Sequence, residues 1–205
     1  QLCSGERVLQ CEINPQPAPD QVVVLTIETE GYGVLTIPIG GSATTVFTPE
    51  RGEWCVASNW TNGCPDETHD AWIDLGSTVV IPQDTATGEA RNIYVARTEG
   101  RTGTLEQQGG ELLVAEDLVV AGGEGTSGTL RFSGGSAEIA SAMAIGETGI
   151  GTCEIVDDAN VFATELILGR DVGSMGALDL EDAELTCSTL TKGKGVANIR
   201  LRGAA

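Results

Sequence analysis

The chain has 205 residues, 40% of them hydrophobic, which is enough for a core. With only three Trp, two Tyr and three Phe, that core has to be built from Val, Ile, Leu and Ala. Eleven Lys and Arg face 30 Asp and Glu, and the formal net charge of −19 repels phosphate backbones, which argues against nucleic-acid binding. No uncharged apolar run reaches the length of about 18 residues that a membrane helix needs, so membrane insertion is not expected. The 28 glycines follow no Gly-X-Y period, so collagen is excluded.

The first residue is Gln, consistent with a removed signal peptide. Six cysteines follow: Cys3, Cys11, Cys55, Cys64, Cys153 and Cys187. None forms a C-x-x-C and there is a single His, His69, so a structural zinc site is not expected. An even cysteine count without metal spacing points to disulfides in an oxidising, extracytoplasmic compartment. Spacing favours Cys3–Cys11 and Cys55–Cys64, and elimination leaves Cys153–Cys187. Other pairings stay open, because spacing alone does not fix connectivity.

Residues 1–20 read as a disulfide-tied arm ending in an extended Pro-rich linker, Asn14-Pro15-Gln16-Pro17-Ala18-Pro19-Asp20. Residues 21–50 hold three strand candidates, Val22 to Thr29, Val34 to Ile39 and Thr44 to Phe47, parted by glycine turns. Residues 51–75 form a Trp- and Cys-containing lead-in loop, and residues 76–205 a repeat array.

The array repeats about every 25 residues. Gly103-Thr104-Leu105, Gly128-Thr129-Leu130, Gly151-Thr152-Cys153 and Gly176-Ala177-Leu178 align, with spacings of 25, 23 and 25. Further on, Leu112, Ala137, Asn160 and Leu185 correspond, as do Val114, Ile139, Phe162 and Cys187. So do Leu118, Met143 and Leu166, and Val120, Ile145 and Leu168. A weaker earlier copy sets Val80 ahead of Leu105, Ile93 ahead of Leu118 and Val95 ahead of Val120. Within each copy the period is two, and recurrent glycines disfavour helix, so each copy is three short strands with tight turns. Such copies stack as coils of a β-solenoid, about 4.8 Å apart. The fold expected is all-β: a parallel β-solenoid (β-helix) of about five coils of 23–25 residues, with an N-terminal β-strand extension. An outward ladder, Glu106, Arg131, Glu154 and Asp179, would then place Arg131 between acids.

Trp54, Asn59-Trp60, Gly63, Pro65, Asp70-Ala71-Trp72-Ile73 and Val79-Val80-Ile81 lead into the glycine-rich coils. Together with the coils, over about residues 52–200, this pattern resembles the start of β-solenoid regions in bacterial autotransporter passengers and related large surface proteins. The resemblance implies right-handed winding and a bacterial extracellular or cell-surface setting. It is nearly silent on activity.

Bare β edges at the ends of a solenoid recruit other chains unless covered. Extending the ladder from Leu178 by 23 residues reaches Leu201, so residues 197–202 start a new coil without its remaining strands. The N-terminal strands either cap their own solenoid or complete the coil of the next subunit by strand addition, which would build an open head-to-tail filament. The residues expected to carry this assembly are Val22, Val24, Ile27, Val34, Leu35, Ile37, Ile199 and Leu201.

Catalysis is not expected. A polysaccharide lyase needs aligned basic residues, and Arg97, Arg101, Arg131, Arg170, Lys192 and Lys194 share no ladder. The carboxylates Asp157-Asp158 and Asp179, Glu181, Asp182 and Glu184 could serve a hydrolase but read as turn residues. No cofactor is expected. Calcium is a candidate ion at Asp157-Asp158 and at Asp66-Glu67 with Asp70, although no calcium-loop motif is present. Trp54, Trp60 and Trp72 form either a candidate ligand platform for surface glycans, as in an adhesin, or packing over the first coil. The leading functional expectation is a structural, secreted protein that partners itself.

Overall fold

The computed structural model describes residues 23–29, 33–39, 43–83 and 87–203, so Val22, the proline-rich linker and the Cys3–Cys11 pair lie outside the described residues. The chain divides into two units between residues 42 and 43.

The first unit is a hairpin of β1 (Val23–Thr29) and β2 (Gly33–Ile39), paired antiparallel from Val23 opposite Ile39 to Thr29 opposite Gly33. Both strands are rich in β-branched residues, which suit a pleated surface. The expected assembly residues Val24, Ile27, Val34, Leu35 and Ile37 fall on these two strands.

The second unit is a parallel β-solenoid of about six turns, almost without helix. Its strands are β3 (Ala43–Val46), β4 (Arg51–Glu53), β5 (His69–Ile73), β6 (Leu75–Ile81), β7 (Thr87–Ala90) and β8 (Asn92–Val95), then β9 (Thr102–Gln107), β10 (Glu111–Val114), β11 (Leu118–Val120) and β12 (Ser127–Phe132). The later coils use β13 (Ser136–Ile145), β14 (Ile150–Val156), β15 (Asn160–Leu168), β16 (Met175–Glu181), β17 (Glu184–Lys192) and β18 (Val196–Arg202). One wall is the sheet β4-β6-β9-β12-β14-β16-β18. A second wall runs β3-β5-β8-β11 and on through the latter halves of β13, β15 and β17. Strands β7 and β10 continue into the front halves of β13, β15 and β17 as a third.

The turn count exceeds the expected five because the ladder starts early. Strand β3 pairs with β5 and β4 with β6, so residues 43–53 form a first rung ahead of residue 76. The third N-terminal strand thus works within its own solenoid.

Stacked core ladders follow the expected register over most of their length. Leu105, Leu130, Cys153 and Leu178 superpose, as do Leu118, Met143 and Leu166, and Val120, Ile145 and Leu168. These side chains are buried, and burying each contributes roughly 1.5–3 kcal/mol. Three assignments need correction. Val79, not Val80, stacks on Leu105, so this coil is one residue longer than expected. Val161 and Ala163, not Asn160 and Phe162, stack on Ala137 and Ile139. Asp157 and Asp158 both take left-handed φ in the turn before them, and the one-residue slip exchanges the faces of residues 160–163 until the irregularity between Ile139 and Ala142 restores the expected register at Glu165. Phe162 consequently lies exposed at the surface. Finally, Leu178 stacks on Ile199 and Leu180 on Leu201, so the last coil is two residues shorter than expected.

A column of glycines fixes one corner. A Cβ on Gly103 would lie 2.0 Å from the Ile73 carbonyl oxygen, one on Gly151 2.2 Å from the Gly146 nitrogen, and one on Gly176 2.2 Å from the Ile145 carbonyl oxygen. The backbone passes too close there for any side chain.

Candidate assembly surface

The two ends of the solenoid differ in chemistry. At the N-terminal end Phe47, Trp54 and Trp60 form a lid over the first rungs. Trp60 meets Phe47 and Trp54 edge-to-face, each at 5.1 Å between ring centroids. The short turn Ala57–Asn59 delivers Trp60, whose Nε1–H donates to the Trp54 carbonyl at 2.7 Å. Gly52 allows the close approach of the Asn59 side chain, whose amide donates to the Glu53 carbonyl at 3.0 Å.

Trp54 and Trp60 are buried, so they do not form a ligand platform with Trp72. The lid needs their whole ring area, which is why this segment concentrates three of the chain's few aromatics. Trp72 lies apart on the outer face of β5, edge-on to Tyr94. The Arg97 guanidinium stacks 3.9 Å from the Tyr94 ring centroid and 4.9 Å from that of Trp72.

At the C-terminal end the same core ladders come out into solvent. Leu190 continues Ala71, Ile93, Leu118, Met143 and Leu166. Ile199 and Leu201 finish the other wall. They are 54%, 47% and 69% exposed, whereas their counterparts one rung below are buried or partly so. Leu168, Leu190, Thr191, Lys192, Ala197 and Ile199 line an open depression there. Lys192 occupies a core-ladder position, stacked on Leu168, with Nζ donating to the carbonyls of Gly193 (3.2 Å) and Gly195 (2.9 Å). The ladder through Val120, Ile145 and Leu168 carries the signal for Lys192, had it been extended by one more coil.

The end is also basic within an acidic molecule. Lys192, Lys194, Arg200 and Arg202 are four of the 11 cations, and no carboxylate follows Glu184 up to residue 205. Arg202 reaches Asp179 at 2.7 Å and Glu181 at 3.1 Å, and Arg200 reaches Asp179 at 3.5 Å. Lower on this wall Arg131 pairs with Glu154 at 2.5 Å rather than with Glu106, which Arg51 holds at 2.7 Å.

Other candidates are dispersed or already occupied. Arg170 pairs with Glu147, and Arg97 is stacked on aromatic rings. Asp66 accepts from the Thr68 amide and hydroxyl at 2.8 and 2.7 Å and lies 2.7 Å from His69 Nδ1. Burial acts to raise its pKa, but those hydrogen bonds and His69 prevail and hold it below the usual carboxylate value. Among the described residues, no group of three or more His, Cys, Asp or Glu side chains is placed to hold a metal ion, Asp157-Asp158 and Asp66-Glu67 included. Buried Asp74 was not singled out in the sequence. Its carboxylate accepts from the Arg97 amide at 2.6 Å and the Thr98 hydroxyl at 2.5 Å, tying one coil to the next turn.

Cys55, Cys64, Cys153 and Cys187 are free thiols. The expected Cys153–Cys187 bond is corrected: Cys153 sits buried in β14 and Cys187 on β17, in different walls of successive rungs. Burial pushes the Cys153 thiol up, and it packs as a small hydrophobe. Cys55 and Cys64, by contrast, are held on the same stretch of backbone: the Cys64 thiol donates to the carbonyl of Trp54, the residue before Cys55.

Comparison of the chain with protein-family models, curated proteins and solved structures gave no match.

Proposed function

We propose that this chain is a structural, non-catalytic protein of the extracellular space or cell surface, which associates head to tail by strand complementation between copies. The bacterial surface setting rests on the resemblance of its lead-in segment to that of autotransporter passengers. The carrying observation is the last described rung, where three core ladders end in exposed Leu190, Ile199 and Leu201 beside unpaired strand edges. Such an edge is a template for another strand. The proposed occupant is the N-terminal region of a second copy. Its β1–β2 hairpin is rich in aliphatic residues, and a two-stranded hairpin alone is marginally stable in water. Charge favours the match: residues 1–50 hold Glu6, Glu12, Asp20, Glu28, Glu30 and Glu50 against Arg7 alone, opposite the cations of the last rung. Lys192 gives the same preference locally, because a strand laid over it has to bring a carboxylate or bury an unpaired charge.

Light scattering and negative-stain microscopy of the full chain test this. The expected result is concentration-dependent linear particles that shorten as salt rises, and whose formation is lost in Leu201→Glu and weakened in Lys192→Glu. A full chain that stays monomeric at high concentration overturns the reading.

A second reading, a glycan-binding module, draws on the Trp72–Tyr94–Arg97 cluster, where two half-buried rings lie beside an exposed cation. A glycan array read with wild type and Trp72→Ala decides it: hits lost on substitution support this reading, and an array without hits removes it.

A further inference from the structure

We propose that Cys55 and Cys64 close into a disulfide that locks the aromatic lid onto the first rungs of the solenoid. Two observations on the two thiols carry this inference. Both are tethered to the framework, Cys55 Sγ–H donating to the Thr87 carbonyl at 3.1 Å and Cys64 Sγ–H to the Trp54 carbonyl at 3.3 Å. That Trp54 carbonyl also accepts the Trp60 indole N–H, so Cys64 and Trp60 converge on one atom of the residue next to Cys55. The segment that a 55–64 bond would close therefore contains Trp60, and its two ends flank Trp54. Closure would constrain the unfolded chain while preserving the contacts that hold the lid.

The chemistry is thiol–disulfide exchange with an external disulfide. Cys55 is exposed and Cys64 half-buried, which assigns their order. The Cys55 thiolate attacks one sulfur of the external disulfide, and the other sulfur leaves as a thiol after taking up a proton. The Cys64 thiolate then attacks Cys55 Sγ, and the second external sulfur leaves likewise. Two electrons pass to the external disulfide, and the two cysteine protons end on the released thiols. In the reduced chain burial first, then Cys55, Asp66 and Glu89, push the Cys64 thiol up to about 11, so Cys64 is the thiol that holds its proton. Closure should quicken as pH rises, because the thiolate is the nucleophile.

The test uses the full chain incubated with oxidised glutathione or with a phosphine reductant, followed by intact mass and peptide mapping. Oxidation should remove two hydrogens, link the Cys55 and Cys64 peptides, and raise Tm by roughly 5 °C relative to the reduced chain. It should also lower acrylamide quenching of tryptophan emission. Cys187→Ser should behave as wild type and Cys55→Ser should lose the link. Mapping the unsubstituted chain gives the answer even if Cys55→Ser fails to fold. Free Cys55 and Cys64 after oxidation of folded protein, or links from either to Cys3, Cys11, Cys153 or Cys187, would overturn the proposal.

Discussion

The first and the last described rungs of the solenoid differ in how their core is covered. At the first rung, three large rings cover the aliphatic ladders, and Phe47 and Trp54 show no exposure. At the last described rung the ladders run out uncovered, with a lysine standing where a branched aliphatic stands in the rungs below. One repeat thus gives two surfaces of opposite character, because ladder positions in the middle are covered from both sides and those at the edge from one. A residue's energetic weight follows from its rung as much as from its type.

This contrast can be broken by substitution, and the largest effect is expected at the lid. Trp54→Ala should cost roughly 3–5 kcal/mol, read as a lowered denaturant midpoint. Leu201→Ala, equally apolar in character but at the bare end, should cost no more than about 0.5 kcal/mol in dilute solution. Comparable losses at both sites would erase the distinction. Next comes the glycine corner. Gly151→Ala places a methyl 2.2 Å from backbone, and a loss of at least ~2 kcal/mol is expected. In the last rung the column already carries Ala197 in register with Gly176, and Ala197→Gly should change stability by less than about 1 kcal/mol.

Smaller effects belong to the outer surface. Arg131→Ala should cost roughly 0.2–1 kcal/mol, since the Arg131–Glu154 pair is exposed on both sides; a strong dependence of unfolding on salt would show the charge ladder to matter more than this. The smallest effect is that of Asp66. Its folded pKa lies below the unfolded value, so its contribution is present above an unfolded pKa of about 3.9 and is lost as pH falls through the folded value. Asp66→Asn should flatten the fall of the urea midpoint between about pH 5 and pH 2, and an unchanged slope would place the linkage elsewhere.

The fold was legible because stacking repeats one environment at one spacing. Leu105, Leu130, Cys153 and Leu178 could be aligned without knowing where any strand began. What escaped was local. Asp157 and Asp158 lengthen a turn by one residue and exchange Asn160 for Val161, an effect that period-two patterns at either side do not reveal. The lid escaped in part because Trp54 and Trp60 carry no period: composition marks them as unusual, and only the chain path shows that they face inward. Asp74 stood out in no pattern, since its partners in the turn after β8 are 23 and 24 residues away.

The glycine corner has one more consequence. Because four successive coils, at Gly103, Gly128, Gly151 and Gly176, close on a tight backbone approach, length is changed with least strain there in whole coils. Inserting or deleting one complete coil would extend or shorten the axis by about 4.8 Å and leave both terminal surfaces intact. Adding five or ten residues inside a strand would carry a bulky group into a corner with no room for it. The molecule is in this sense a ruler with a fixed graduation, open to duplication of whole coils and closed to intermediate sizes.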